Sequence, residues 1–226
     1  ELGLPQDPFI FGMVAANKEN PPRKGFQEAL EAFKLFHDNH PEAALFIHTQ
    51  QPSPTGFPVF PFADHLKIKD RLIVVNPYQA VWQSDSEFIN KEMNAFDVLL
   101  HPSQTEGFGL TIVEAQATGV PAIVNRCHSM PELVVEGKTG FISETGTPHW
   151  TSDNSWTYPA NVKSLHEQME KAFRLVKDNP NKVKVDCRKN VVTNYNVDTL
   201  FKEKWVPMLE KLQGEILTET PKENKL

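Results

Sequence analysis

The sequence lacks the features of disulfide-rich, membrane-spanning and nucleic-acid-binding proteins. Its 226 residues contain only two cysteines, Cys127 and Cys187, in no metal or redox spacing. No apolar run is long enough to span a membrane, and the first residues do not form a signal-peptide pattern. A net charge of −6 argues against nucleic-acid binding through bulk charge. We therefore expect no nucleic-acid partner, no membrane span and a reduced, cytoplasmic setting.

Several phosphate-binding and catalytic motifs are also absent. No Gly-x-Gly-x-x-Gly follows the first predicted strand, and there is no Walker Gly-x4-Gly-Lys-Ser/Thr. Ser103 and Ser129 lie outside any Gly-x-Ser-x-Gly context. His37 and His40 are three residues apart but have no third ligand nearby, and neither Asp-x-Asp nor His-Glu-x-x-His occurs. The sequence predicts no resident metal or cofactor.

What is present is a regular alternation of strand and helix patterns. Strands are predicted at 9–15, 44–48, 72–75, 97–100, 120–125 and 141–142. Helices are predicted at 25–40, 84–96, 110–118, briefly near Pro131, and at 161–178, 181–190 and 198–212. The segments 49–61, 76–83 and 143–160 are predicted to be irregular. Trp150, Trp156 and, further along the chain, Trp205 are predicted to be packing residues. The alternation predicts an α/β fold with a doubly wound parallel sheet in a single Rossmann-like domain.

The most informative segment is 106–114, which reads EGFGLTIVE and follows the fourth predicted strand. A strand, a glycine-bearing turn and a helix bring backbone N–H groups to a phosphate. Glu106 and Glu114 repel phosphate, but a carboxylate accepts hydrogen bonds from hydroxyls. Taken alone, the spacing of Glu106 and Glu114 is more typical of solvated surface residues on a turn and a helix. In this context, phosphate and hydroxyl recognition together suggest a nucleotide sugar.

Basic residues lie where the loop after the first strand meets a helix. Arg23 and Lys24 precede Gly25, a position that suits a diphosphate through fixed cations and the positive helix end. Lys18 is a weaker candidate in the same loop. In parallel sheets, ligands bind outside the carboxyl ends of the strands, and the loops after strands one, three, four and five all reach that edge.

Three segments in this order and spacing resemble a known family. FGMVAANKENPPRKG, FDVLLHPSQTEGFGLTIVEAQATGVPAIV and MPELVVEGKTGFI are similar to the C-terminal, donor-binding domain of family 4 glycosyltransferases. Those enzymes are retaining and have the GT-B fold, in which two Rossmann-like domains face each other across a cleft. The resemblance spans nearly the whole chain.

The resemblance implies roles for individual residues. Glu106 would hold donor-sugar hydroxyls, Glu114 would bind the ribose and Lys24 would neutralise the diphosphate, so Glu106 and Lys24 are the implied catalytic residues. The remaining implied donor contacts are Arg23, Asn17, the turn amides of Gly107, Phe108, Gly109 and Leu110, and Val75 and Tyr78 beside the base. The substrate is a nucleoside diphosphate sugar, with no metal.

The resemblance also implies a partner domain. It divides the chain into a linker remnant (1–8), a donor-binding Rossmann-like domain (9–195), a C-terminal crossover helix (196–217) and a polar tail (218–226). We expect the acceptor site on a missing N-terminal domain, which could also contact the cytoplasmic membrane face. The crossover helix would leave Phe201, Trp205 and Leu209 partly uncovered. Two alternatives stay open: a non-catalytic nucleotide-sugar-binding module and a sugar-nucleotide epimerase of related fold.

Overall fold

A computed structural model describes residues 7–19, 22–51, 53–82, 85–152 and 154–218. The strands of the main sheet are β1 Phe9–Val14, β2 Ala43–His48, β3 Leu72–Val74, β4 Val98–His101, β5 Ala122–Asn125 and β6 Gly140–Ser143. The helices are α1 Phe26–His37, α2 Val59–His65, α3 Pro77–Trp82, α4 Ser86–Asn94, α5 Leu110–Ala117, α6 Val162–Asp178, α7 Pro180–Asn194, α8 Val197–Leu200 and α9 Val206–Thr218. Short 3-10 turns occur at Lys69–Arg71 and Met130–Leu133.

The six strands form one parallel sheet in the order β3-β2-β1-β4-β5-β6. This order is the doubly wound arrangement of Rossmann-like domains, in which the direction of winding reverses between β1 and β4. The predicted α/β class and doubly wound parallel sheet are confirmed.

Helices cover both faces of the sheet. One face packs on α1 and α6 through a cluster that includes Phe11, Phe33 and Met169. The other face packs through Met93 of α4 and Ile112 of α5. Because both faces are covered, the strands are apolar at consecutive positions rather than at alternate ones.

The two central strands are joined by a paired contact at their amino ends. The Ile10 N–H donates to the Asp97 carboxylate at 2.7 Å, and the Asp97 N–H donates to the Ile10 carbonyl at 2.9 Å. Burial raises the pKa of Asp97 above its ordinary value. This contact fixes the register of β1 against β4, from which the two loops of the candidate site begin.

Two segments predicted to be loops contain short helices. The prediction for 49–61 missed the start of α2. Pro61 lies in the first turn of this helix, where a backbone N–H has no partner within the helix and its absence costs no hydrogen bond. The prediction for 76–83 missed α3, in which Asn76 Oδ1 accepts from the Tyr78 N–H at 2.9 Å and Pro77 is the first helical residue.

The segment 143–160 also contains an unpredicted element. Two short antiparallel strands, β7 His149–Trp150 and β8 Trp156–Thr157, form a hairpin. Trp150 and Trp156, predicted to be packing residues, pack edge-on against each other, but they and Trp205 are about half exposed, with exposed fractions of 56%, 50% and 54%. Strands of two residues are too short to give a periodic pattern.

The predicted C-terminal helix is interrupted. A π turn, Phe201–Trp205, separates α8 from α9, and Pro207 follows in the first turn of α9, where it cannot donate a backbone hydrogen bond. Phe201, Trp205 and Leu209 are about half exposed, as predicted. The linker remnant 1–8 lies outside the described residues except for 7 and 8, and the tail except for 218. Among the helices that the structure describes, none is long and apolar enough to cross a bilayer.

Candidate functional site

The candidate site lies at the carboxyl edge of the sheet, between β1 and β4. The loop after β1 leads to α1, and the loop after β4 leads to α5. These neighbouring strands mark the point at which the winding reverses, and their loops diverge to opposite faces. In open α/β sheets this divergence leaves a crevice that binds ligands.

Lys24 and Glu106 meet in this crevice although they are 82 residues apart. Lys24 Nζ lies 2.5 Å from Glu106 Oε2, and the side chains are only 15% and 17% exposed. A charge-assisted pair of this kind is stronger than a hydrogen bond between neutral groups. The cation and the carboxylate that the sequence predicted as site residues therefore form one ion pair.

The backbone brings this pair together. Gly25 has a φ of +70°, and a Cβ at this position would lie 2.2 Å from the Pro102 carbonyl oxygen. Nearby, the Gln104 N–H donates to the Arg23 carbonyl at 2.8 Å. A glycine is required at residue 25 both by the left-handed conformation and by the close approach of the second loop.

A buried histidine lies behind the pair. His101 Nε2 is 3.4 Å from Glu106 Oε2, and His101 is 4% exposed. Burial lowers the pKa of His101, so its imidazole is neutral at neutral pH. His101 and then Lys24 lower the pKa of Glu106 to about 2, against the opposing effect of burial. Glu106 is therefore fully charged over the physiological pH range.

The Gly107–Gly109 turn leads into α5. Gly109 precedes the helix with a φ of +98°, and no side chain caps the helix start. The first N–H groups of a helix have no partner within that helix and attract anions. Gly107 has open space around it, as needed for a ligand to approach the backbone. Phe108 and Leu110 are 44% and 66% exposed.

Two clefts meet along α5. The first has a volume of about 560 Å³ and is lined by residues that include Lys18, Arg23, Lys24 and Thr111. The second, of about 490 Å³, lies between α4 and α5 and is lined by Glu114. Val14 lines both clefts, so they adjoin. Glu114 is exposed, and no described residue forms a hydrogen bond or ion pair with its carboxylate.

The remaining predicted contact residues differ in their exposure and in their hydrogen-bond partners. Arg23 lines the first cleft and donates to the Glu19 carboxylate at 3.0 Å. The Asn17 amide is bonded to the backbone of Phe57, donating to its carbonyl at 2.8 Å and accepting from its N–H at 2.7 Å. Val75 is buried, and its N–H donates to the carbonyl of Ile47. Tyr78 is 63% exposed on α3.

Comparison with known proteins decides the family. The family described as "Glycosyl transferases group 1" matches residues 1–153, more than half of the chain. The chain belongs to this family.

Relatives of this glycosyltransferase domain include D-inositol 3-phosphate glycosyltransferase of Corynebacterium glutamicum (strain R). That protein is 29% identical over 157 residues, which cover 68% of this chain and 35% of the relative. The matching segment thus spans about a third of the length of the curated relatives.

Two solved structures share the fold of the domain. One is the C-terminal domain of a glycosyl transferase group 1 family protein (LpcC) from Francisella tularensis, with a TM-score of 0.61 and 18% identity, covering 84% of this chain and 88% of that chain. The other is HepE from Anabaena in complex with UDP and glucose, with a TM-score of 0.64 and 16% identity, covering 92% of this chain and 49% of that chain.

One ion pair at the edge of the first cleft was not predicted from the sequence. His48, at the end of β2, lines the first cleft, and its Nδ1 lies 2.6 Å from Oε2 of Glu92 on α4. Its only sequence signal is a histidine at the carboxyl end of a strand. Glu92 looks like an ordinary residue on an amphipathic helix. No group of three possible metal ligands occurs in the described part of the chain.

Proposed function

We propose that this domain is the donor-binding half of a family 4, retaining glycosyltransferase that transfers a sugar from a nucleoside diphosphate sugar to an acceptor hydroxyl. The observation that carries the proposal is the Lys24–Glu106 pair at the β1–β4 crevice, beside the uncapped start of α5. Cationic, carboxylate and amide groups there match the chemical groups of such a donor. The group 1 family membership supports the same reading.

The proposed roles divide the donor between the two clefts. Lys24 and Arg23 of the first cleft and the N–H groups of Gly107–Leu110, just before the cleft residue Thr111, would bind the diphosphate. Glu106, paired with Lys24, would accept hydrogen bonds from the sugar hydroxyls. In the second cleft, Glu114 would bind the ribose hydroxyls. Asn17 would act through the loop that it holds, because its amide is already bonded to Phe57. Val75 and Tyr78 would flank the base.

The chemistry follows from where charge develops. When the bond from the anomeric carbon to the diphosphate breaks, negative charge grows on the leaving phosphate and positive charge on the sugar ring. Lys24 and the amides of α5 would stabilise the leaving group, and this kind of electrostatic stabilisation is the largest contribution in many enzymes. The acceptor hydroxyl would attack from the same face and give its proton to the leaving phosphate, so that configuration is retained. Glu106 would orient the sugar rather than attack it.

Calorimetry tests the donor proposal. UDP, GDP, ADP and their glucose conjugates should be titrated into the chain with and without EDTA. We expect one nucleoside diphosphate series to bind equally in both conditions, because Lys24 and the helix amides supply the positive field. Binding that disappears with EDTA would contradict the metal-free proposal, and failure of every series would contradict donor binding. Incubation of a bound nucleotide sugar with an N-terminal domain and acceptor separates the alternatives: an isomerised nucleotide sugar indicates an epimerase, and an unchanged one a binding module.

A further inference from the structure

A third cleft, of about 530 Å³, lies on the other side of Arg23 from the donor cleft. Its walls are Arg23, Gln104 and Thr105 from the site loops, and Trp150, Thr151 and Ser155 from the β7–β8 hairpin. Arg23 lines both this cleft and the one that contains Lys24. A molecule bound under the hairpin would therefore lie next to the donor.

Backbone hydrogen bonds fix the hairpin against the site loop. The Thr151 N–H donates to the Ser155 carbonyl at 2.9 Å and closes the hairpin near its tip. At its base, the Tyr158 N–H donates to the Gln104 carbonyl at 3.1 Å, two residues before Glu106. The Asn125 amide joins the same two segments, donating to the carbonyls of Ser103 and Tyr158 at 3.1 and 2.6 Å. These hydrogen bonds hold the hairpin wall of the cleft in a fixed position relative to the loop that leads to Glu106.

The lining combines an exposed indole with hydroxyl and amide groups, and it also includes the ionisable side chains of Glu19, Arg23 and His149. Trp150 packs edge-on against Trp156 with ring centroids 5.4 Å apart, and half of each side chain remains exposed. An aromatic pair held in this way presents a rigid apolar surface. Hydroxyl and amide side chains surround it, and the charge of Arg23 is offset by Glu19 at 3.0 Å. A pyranose ring, with its apolar C–H face and rim of hydroxyls, fits this combination of an aromatic surface and hydrogen-bonding groups.

We propose that this cleft binds a neutral sugar residue of the acceptor, stacked on Trp150, and hence that the acceptor of this domain is a saccharide. The inference rests on the proposed function, because the word acceptor has meaning only if the first cleft holds a donor. Its position beside Arg23 would bring an acceptor hydroxyl toward the sugar held by Glu106. The hairpin would thus supply part of the acceptor site from this half of the enzyme.

The chain offers a direct probe, because it contains four tryptophans: Trp82, Trp150, Trp156 and Trp205. Their indole N–H signals can be assigned in ¹⁵N NMR spectra from single Trp→Phe variants. The methyl glycosides of glucose, galactose, mannose and N-acetylglucosamine should then be titrated to about 50 mM, which covers millimolar dissociation constants. We expect at least one glycoside to shift the Trp150 signal saturably and to leave Trp205 unmoved.

Two matched variants separate stacking from general effects. Trp150→Ala should weaken binding of that glycoside by about five-fold or more, the scale of a lost aromatic contact. Trp205→Ala removes a side chain of nearly equal exposure on the π turn, outside the lining of this cleft, and should leave the affinity unchanged. The three remaining indole signals of each variant report whether the fold is intact.

The outcomes distinguish this inference from the donor proposal. If no glycoside shifts the Trp150 signal, the proposed saccharide cleft is overturned even if UDP binds. The same holds if Trp150→Ala leaves the affinity for the glycoside unaltered. A Trp150 signal that responds to UDP-glucose but to no glycoside would place the donor here and also overturn it. A chain that binds a glycoside at Trp150 but no nucleotide would contradict the proposed function instead.

Discussion

At the scale of single residues, the site is defined by a cation that already has a partner. Lys24 donates to Glu106, so a bound diphosphate would compete with a carboxylate for the same ammonium group. Under the proposed function, donor binding would exchange these partners: Glu106 would be released to accept from sugar hydroxyls while Lys24 turns to phosphate oxygens.

Lys24→Ala should weaken binding of the nucleoside diphosphate by about 1.5–3 kcal/mol, the range for a hydrogen bond to a charged group. The reason is loss of the mostly buried cation beside the start of α5. Calorimetry with the free nucleoside diphosphate measures the effect. Lys69→Ala, which removes an exposed lysine paired with Asp64, is the matched control and should bind normally. Equal affinity of both variants would exclude Lys24 from the diphosphate site.

Glu106→Gln should act differently on two ligands. Binding of the nucleoside diphosphate should stay equal or improve, because the substitution frees Lys24 from its carboxylate partner. Binding of the intact nucleotide sugar should weaken by about 1.5–3 kcal/mol, because an amide replaces the charged acceptor for the sugar hydroxyls. Asp64→Asn, which breaks an exposed ion pair away from the cleft, should change neither. If Glu106→Gln lost the same affinity for both ligands, the proposed role of Glu106 in binding the sugar would be contradicted.

The pH dependence of stability provides a separate test of the pair. The pKa of Glu106 is about 2, below its ordinary value of 4.5, so the unfolded chain takes up this proton first as pH falls. The stabilisation by the carboxylate is complete above 4.5 and is lost as the pH falls toward 2. In urea unfolding, the free energy of unfolding of the wild type should exceed that of Glu106→Gln by about 1–3 kcal/mol at neutral pH. This difference should shrink only in acid. A difference that instead changed near the ordinary histidine pKa would mean that a charged His101 is the main partner.

At the scale of elements, the two site loops depend on a backbone contact that only glycine permits. Gly25→Ala adds a Cβ 2.2 Å from the Pro102 oxygen in a left-handed conformation, and we expect a loss of more than about 2 kcal/mol. Gly107→Ala is the matched control in open space, with an expected effect within about 0.5 kcal/mol. Thermal unfolding measures both, at about 2–4 °C per kcal/mol. Equal stability of the two variants would show that the loops are not packed together.

The elements also show what the sequence could and could not predict. The six strands of the main sheet were predictable because each is a dense apolar run, and strand alternation with helices places Lys24 and Glu106 at the same edge. The short helix α3 was missed although Asn76-Pro77 is a recognisable helix start. The hairpin was missed because two-residue strands have no periodicity. His101 could not be assigned, because its effect on Glu106 depends on a 3.4 Å contact rather than on spacing.

At the scale of the whole molecule, we expect this chain alone to bind the donor and to catalyse negligible transfer. The hairpin would hold part of the acceptor, but reaction requires a hydroxyl fixed about 3 Å from the anomeric carbon, with water excluded. Joining the chain to an N-terminal domain of its own enzyme should restore transfer with retained configuration. An NMR time course of the product on both forms measures this. Robust transfer by the isolated chain would contradict the half-enzyme proposal, and an inverted product would contradict the family 4 assignment.

The order of the strands has a further consequence for how this domain opens. β1, β2 and β3 come from the first third of the chain and β4, β5 and β6 from the middle, so the β1–β4 pairing is a seam between two sequence blocks. Its paired contact joins Ile10 to Asp97, 87 residues later. Lys24 belongs to one block and Glu106 to the other, so a donor bound to both residues would stabilise the β1–β4 pairing. Amide hydrogen exchange along β1 and β4 should slow with ligand, since any opening that separates the blocks also dismantles the site.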